Sequence, residues 1–188
     1  MKFTLIYDGP LSSSNRPRVE EKQAIRRVIN PQLRELFRTH PQVHGWLDQW
    51  QDPKGMSRFR VGAFDLVPLV STKLHMICDL DVLFLRRENP GSVLKPGGDI
   101  DNRMATLFDA LRKPHNENEL PGGDKPAGDE EIPFLCLLED DSLVTAVSVR
   151  TERLLTPLRG EPSDVHLVIG VTVKVTELTY MTIGIGGD

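Results

Sequence analysis

The sequence predicts an α/β domain of the α+β type, formed as a single unit by residues 1–188. Two segments, residues 2–7 and 73–84, alternate polar and apolar side chains, as half-buried strands do. A third segment, residues 102–112, repeats its apolar side chains at helical spacing. At 188 residues and 39% hydrophobic content, the chain is long and apolar enough to bury a core.

The first third of the chain is expected to form one strand and one helical region. Residues 2–7 form the strand, and Gly9-Pro10 is expected to end it. Apolar residues at helical spacing predict a helix over residues 19–37, and Pro31 is expected to kink or split it. The arginine-rich segment over about residues 19–58 is interpreted as an added helical element.

The middle of the chain gives the clearest periodic signals. Residues 59–70 and 73–84 are each predicted to form one strand. The helix predicted over residues 102–112 has one apolar stripe, and Asp101 is expected to be its N-cap. The stripe consists of Met104, Leu107, Phe108 and Leu111.

The last third is predicted to contain an insertion followed by strands. Residues 114–131 are rich in Pro, Gly and acidic side chains, and we expect a mobile acidic insertion there. Three apolar or alternating segments after it predict strands, at residues 134–138, 144–149 and 165–175.

The charge distribution and the cysteine content bear on the binding surfaces and the cellular compartment of the protein. Residues 1–60 carry 11 Lys and Arg against 6 Asp and Glu, whereas residues 99–141 carry 4 against 12. Two interpretations stay open. Either the charges form ordinary solvated surfaces, or they form a basic surface that binds a nucleic-acid backbone beside an acidic cluster that binds metal. Cys78 and Cys136 each lie in an apolar run, which favours reduced core thiols and a cytoplasmic protein. No apolar run of about 18 residues occurs, so we expect no membrane-spanning helix.

The candidate chemistry lies in two acidic runs. Asp99 and Asp101 stand two apart at the start of the predicted helix, and Asp140 and Asp141 follow a predicted strand. Mg²⁺ prefers hard oxygen ligands, and two ions about 3.5–4 Å apart can activate water against a phosphodiester. The alternatives are that Asp101 caps a helix and that Asp140 and Asp141 form a turn.

These runs, taken with their surroundings, resemble the RusA family of Holliday-junction resolvases. The resemblance is carried by Asp99-x-Asp101-Asn102, by the helix end Leu107-Phe108-Asp109-Ala110-Leu111, and by Asp140-Asp141-Ser142-x-Val144. The first strand, followed by Gly9-Pro10 and Arg16-Pro17-Arg18, is also similar to the start of that family.

The resemblance implies a small mixed sheet packed with helices and a homodimer that cuts four-way or related branched DNA. Mg²⁺ or Mn²⁺ would be the cofactor. By that resemblance Asp99, Asp101 and Asp141 are the catalytic residues, and the metal ligands are these three together with Asp140. We also expect DNA contacts from the basic side chains Arg16, Arg18 and Arg103.

One position departs from the family pattern. The family carries a lysine one helical turn after the second aspartate, and Ala105 occupies that position here. A cation there would stabilise charge on the phosphate, and Arg103, Lys73 or Lys95 could supply it from elsewhere. A catalytically impaired DNA- or protein-binding protein on the same fold is therefore the alternative hypothesis.

Overall fold

A computed structural model gives the structure of the chain and describes residues 1–12, 18–47, 57–87, 100–155 and 164–185. Within these residues it contains two helices and two mixed sheets, which confirms the predicted α+β class. The helices are α1 (Val19–Thr39) and α2 (Ile100–Leu111). The strands are β1 (Lys2–Pro10), β2 (Phe59–Val61), β3 (Phe64–Val70), β4 (Met76–Arg86), β5 (Phe134–Leu138), β6 (Val144–Arg153) and β7 (Asp164–Val175).

Four strands form the larger sheet, in the order β1-β7-β4-β6. β7 runs antiparallel to both β1 and β4, whereas β6 runs parallel to β4. Alternate side chains of β4 and β7 are buried beneath the helices, as the period of two in their sequences predicts. The other face of this sheet carries polar and partly exposed side chains.

The smaller sheet has the order β2-β3-β5, and it corrects one sequence prediction. Residues 59–70 were predicted to form one strand, but they form the antiparallel hairpin β2–β3. The chain reverses at Gly62, whose φ of 55° lies in the left-handed region that glycine adopts without steric cost. β5 runs parallel to β3 and is buried along its whole length.

α1 is one helix from Val19 to Thr39, so the prediction that Pro31 splits it was wrong. The side chain of Pro31 is exposed, whereas Ile29 and Leu33 on either side are buried in the core. Packing of the buried face against α2, β1 and β5 outweighs the one backbone hydrogen bond that proline removes. Neither described helix is long and apolar enough to cross a bilayer.

β1 continues through Pro10, three residues beyond its predicted end. Gly9 does not terminate the strand because it has a φ of 153° and lies beneath the Tyr7 ring. A Cβ at Gly9 would lie 2.7 Å from the Tyr7 hydroxyl oxygen, which donates a hydrogen bond to the Pro10 carbonyl at 2.8 Å. Glycine at this position therefore lets the buried tyrosine fold back over its own strand.

Residues 114–131, expected to be a mobile insertion, contain two short 3-10 turns, Glu117–Glu119 and Asp129–Glu131. The segment is tied to α1, because Arg27 forms ion pairs with Asp124 at 2.9 Å and with Glu131 at 3.5 Å. These are the contacts of a docked segment, and its mobility stays a prediction.

Candidate functional site

Asp101 lies on the exposed side of α2. The helix begins at Ile100, so Asp101 is in its first turn, and the prediction that it is the N-cap residue was wrong. Its carboxylate accepts a hydrogen bond from the Asn102 backbone N–H at 3.0 Å. Ala105, one turn later, is exposed on the same side of the helix, as the spacing predicts. Asp99 lies outside the described residues.

Asp140 and Asp141 lie in the connection between β5 and β6. Asp140 precedes a 3-10 turn, Asp141–Leu143, and accepts hydrogen bonds from the Ser142 hydroxyl at 2.5 Å and the Ser142 N–H at 3.0 Å. These bonds hold the pKa of the Asp140 carboxyl below its usual value. Asp140 thus has the turn-forming role that the sequence left open, while the side chain of Asp141 is exposed.

The two acidic runs lie on elements that contact each other, since α2 packs against the turn Asp141–Leu143. Their positions along α2 differ, however. Asp140 lies 3.7 Å from the His115 side chain, beyond the C-terminal end of α2, whereas Asp101 is in the first turn. Along the axis of α2, Asp101 and Leu111 are roughly 15 Å apart.

Within the described ranges, which exclude Asp99, no group of three His, Cys, Asp or Glu side chains is arranged to hold a metal ion. The metal roles expected for Asp99, Asp101, Asp140 and Asp141 therefore stay predictions.

A lysine lies beside the second acidic run. Glu139 accepts hydrogen bonds from Thr72, from its backbone N–H at 3.0 Å and from its hydroxyl at 3.1 Å. Thr72 begins the 3-10 turn Thr72–Leu74, and the residue that follows it, Lys73, is exposed. Lys73 is thus one of the cations that could stand in for the lysine absent at Ala105; Lys95 lies outside the described residues.

The arginines expected to contact DNA are placed differently. Arg103 is 6% exposed, with its guanidinium carbon 5.9 Å from the centre of the Phe84 ring. Arg18 is 7% exposed; its guanidinium donates to the Ser12 carbonyl and, at 3.0 Å, to the Thr106 hydroxyl. Both side chains are therefore buried, and their role as DNA contacts stays a prediction. Arg16 lies outside the described residues.

A comparison with family models, curated proteins and solved structures finds no match to this chain. The resemblance to the RusA family therefore rests on the motif residues alone.

The sequence interpretation missed a buried cluster of charges that joins α1 to the end of α2. Arg26 is 2% exposed and donates to the carbonyl oxygens of Asp109 at 2.8 Å and of Arg112 and Glu119 at 3.3 Å. Arg112 bridges the carboxylates of Asp109 and Glu119, each at 2.8 Å, and Lys22 binds Asp109 at 2.6 Å. The one sequence signal for this pairing was the opposite net charge of residues 1–60, which are basic, and residues 99–141, which are acidic.

This cluster offers another explanation for the basic first third and the acidic middle of the sequence, because residues of the two regions pair with each other. Arg26 and Arg27 of α1 are directed at residues 109–131 of the same chain, so part of the basic first third neutralises the acidic middle internally. Arg34 donates to the Pro133 carbonyl at 2.6 Å, and Arg38 stays exposed. Three of the four arginines of α1 are therefore bound by other residues of the described chain.

Proposed function

We propose that the protein is a metal-dependent endodeoxyribonuclease that acts on four-way or related branched DNA. The observation that carries the proposal is the pair of acidic motifs, in which Asp101 in the first turn of α2 and Asp141 in the turn after β5 both have exposed side chains. Lys73 adds a cation beside that turn. Exposed carboxylates and a lysine on adjoining elements are the groups that phosphodiester hydrolysis requires.

In this proposal Asp99, Asp101 and Asp141 hold Mg²⁺ or Mn²⁺. Their hard carboxylate oxygens are the donors that these ions prefer, and the exposure of Asp101 and Asp141 leaves room for water and phosphate oxygens. The bound ion would supply Lewis-acid activation of a water molecule. Asp140 positions the turn through its bonds to Ser142, and Lys73 stabilises negative charge on the phosphate.

The alternative proposal is a DNA- or protein-binding protein without nuclease activity. It is favoured by Ala105, which occupies the position of the family lysine. A homodimer and a cytoplasmic location are further expectations under either proposal.

A cleavage assay on a labelled synthetic four-way junction, with Mg²⁺ and separately with Mn²⁺, tests both proposals. We expect paired symmetric nicks from the wild type and at least about a hundredfold slower cutting by Asp101→Asn, with junction binding retained. Asp129→Asn removes an exposed carboxylate away from both acidic runs and serves as the matched control.

Full activity in Asp101→Asn would remove Asp101 from the site. Binding of the junction without cutting, in either metal, would replace the nuclease proposal with the binding protein. A Lys73→Ala variant that cuts at the wild-type rate would exclude that lysine as the substitute cation.

A further inference from the structure

β6 is the edge strand of the larger sheet, and no strand among the described residues pairs with its outer side. It spans ten residues, Val144–Arg153, without proline or glycine, and most of its side chains are exposed. A long edge strand of this kind offers unpaired backbone groups to another strand.

The hydrogen bonds between β6 and β4 show which residues of β6 direct their backbone N–H and C=O groups away from β4. The Leu154 N–H donates to the Arg86 carbonyl of β4 at 2.7 Å. Because backbone groups alternate sides along a strand, the even-numbered residues bond to β4 and the odd-numbered ones point outward. The N–H and C=O groups of Val147, Val149 and Thr151 therefore lie on the outer edge.

The side chains of β6 alternate between the two faces of the sheet. Thr151 pairs with Phe84, which is buried, so Thr151, Val149 and Val147 are on the inner face. Arg150 and Glu152 are on the opposite, outer face, where both are exposed. One strand thus presents a positive and a negative side chain two residues apart on one face.

From this arrangement we propose that β6 pairs antiparallel with β6 of a second copy of the chain, about a two-fold axis at Thr151. The two Thr151 residues then form a hydrogen-bonded pair, because their N–H and C=O groups both point outward. Arg150 of each copy lies opposite Glu152 of the other, in the closely spaced position where side chains interact most. The two four-stranded sheets become one sheet of eight strands.

The same register covers exposed apolar side chains. Val147 is 46% exposed and Leu155 is 86% exposed, and the register places each opposite the other on the second copy. Val147 pairs with the buried Leu80 of β4 and lies on the inner face, so a strand that pairs with β6 would cover exposed apolar surface beside its hydrogen bonds.

Neighbouring registers lack this complementarity. An axis at Arg150 places the two Arg150 side chains directly opposite each other, which is repulsive. An axis at Val149 places Arg150 opposite Ser148, so Arg150 keeps only its 3.9 Å ion pair with Asp81 of its own chain and no charge pair forms between the copies. Charge complementarity therefore selects a second copy in the Thr151-centred register.

The proposal does not depend on nuclease activity, because it rests on β6 alone. Sedimentation velocity over a range of concentrations tests it with the full chain, whose mass is 21.1 kDa. We expect the wild type to shift from monomer to dimer as its concentration rises. Arg150→Glu and Glu152→Arg each place like charges opposite one another, so each should weaken the dimer by about tenfold or more.

A mixture of these two variants gives the sharpest result, because their charges complement each other. We expect the mixture to form a heterodimer and the double variant Arg150→Glu/Glu152→Arg to dimerise again. Thr151→Pro removes an N–H on the outer edge of β6, where no described strand pairs, and it should also abolish the dimer. Lys2→Glu reverses an exposed charge on β1, at the other edge of the sheet, and should change nothing.

A wild type that stays monomeric at every concentration would overturn the proposal. So would a dimer that Arg150→Glu leaves intact, or a mixture of the two single variants that stays monomeric.

Discussion

The two edges of the larger sheet, β1 and β6, are treated in opposite ways by the rest of the chain. At β1, Gln32 of α1 accepts from the Ile6 N–H at 2.8 Å and donates to the Ile6 carbonyl at 2.7 Å, so a side-chain amide takes the place of a further strand. At β6, no described strand lies beyond the edge. At Ile6, the outward backbone groups of β1 are therefore bonded by a side chain of a packed helix.

The largest difference between the two edges is expected in the free energy of unfolding, when an inward-facing side chain of each edge strand is truncated to alanine. Leu5 of β1 is 1% exposed, whereas Val147 of β6 is 46% exposed. We expect Leu5→Ala to lower the free energy of unfolding by about 2–5 kcal/mol, because it leaves a cavity. Val147→Ala should cost less than about 1 kcal/mol. Urea denaturation at a concentration where the protein is monomeric measures both.

Equal costs for the two truncations would show that β6 is covered in solution. If Val147→Ala becomes costly only at concentrations where a dimer forms, the added cost locates the contact at β6.

The next contrast concerns the amide that closes the β1 edge. Gln32→Ala removes both bonds to Ile6 and a third, 2.9 Å bond to the Val28 carbonyl. We expect a loss of roughly 1–3 kcal/mol, since partly buried backbone groups lose their partners. Ser148→Ala, at an exposed position on β6, is the matched control and should stay within about 0.5 kcal/mol of the wild type. A Gln32→Ala protein as stable as the control would mean that water replaces the amide at Ile6.

The smallest effect expected is on acid stability, through the charged cluster that holds α2 against α1. Burial raises the pKa of Asp109 and of Glu119, but bonds from Lys22 and Arg112 to Asp109, and from Arg112 to Glu119, lower each pKa overall. A lowered folded-state pKa adds stability above the unfolded value, which is about 4, and this is lost as the pH falls through the folded value.

Unfolding measured between about pH 6 and pH 2.5 should therefore show a smaller acid loss in Asp109→Asn/Glu119→Gln than in the wild type. Asp129→Asn, which removes an exposed carboxylate outside the cluster, should keep the wild-type slope. Parallel slopes for the double variant and the wild type would show that the cluster adds no pH-dependent stability.

Features with a local period could be predicted from the sequence. The apolar stripe predicted α2 and the alternation of side chains predicted β4. Burial on one side imposes a period of about 3.6 residues on a helix and of two on a strand. The hairpin at Gly62 was missed because both its strands are apolar and the turn is only two residues long. The continuity of α1 across Pro31 was missed because packing of its buried face decides it.

For the candidate site, the sequence predicted how residues are placed on one element but not which elements meet. The shared exposed side of Asp101 and Ala105 followed from helical spacing. The burial of Arg18 and Arg103 did not, since Phe84 and Thr106, which they contact, are distant in sequence or lie on another element. The position of Lys73 beside Glu139 depends on a contact across 67 residues.

The sequence by itself determined the class of the fold, most strands, and α2 with its exposed aspartate. These follow from periodic burial and turn residues, which act over a few positions along the chain. The tertiary structure alone decided that arginines of α1 bind the acidic middle of the chain, that Gln32 bonds to β1 at Ile6, and that no described strand pairs with the outer side of β6. The reason is that ion pairs and strand edges join residues far apart in sequence, and their geometry exists only after the chain has packed.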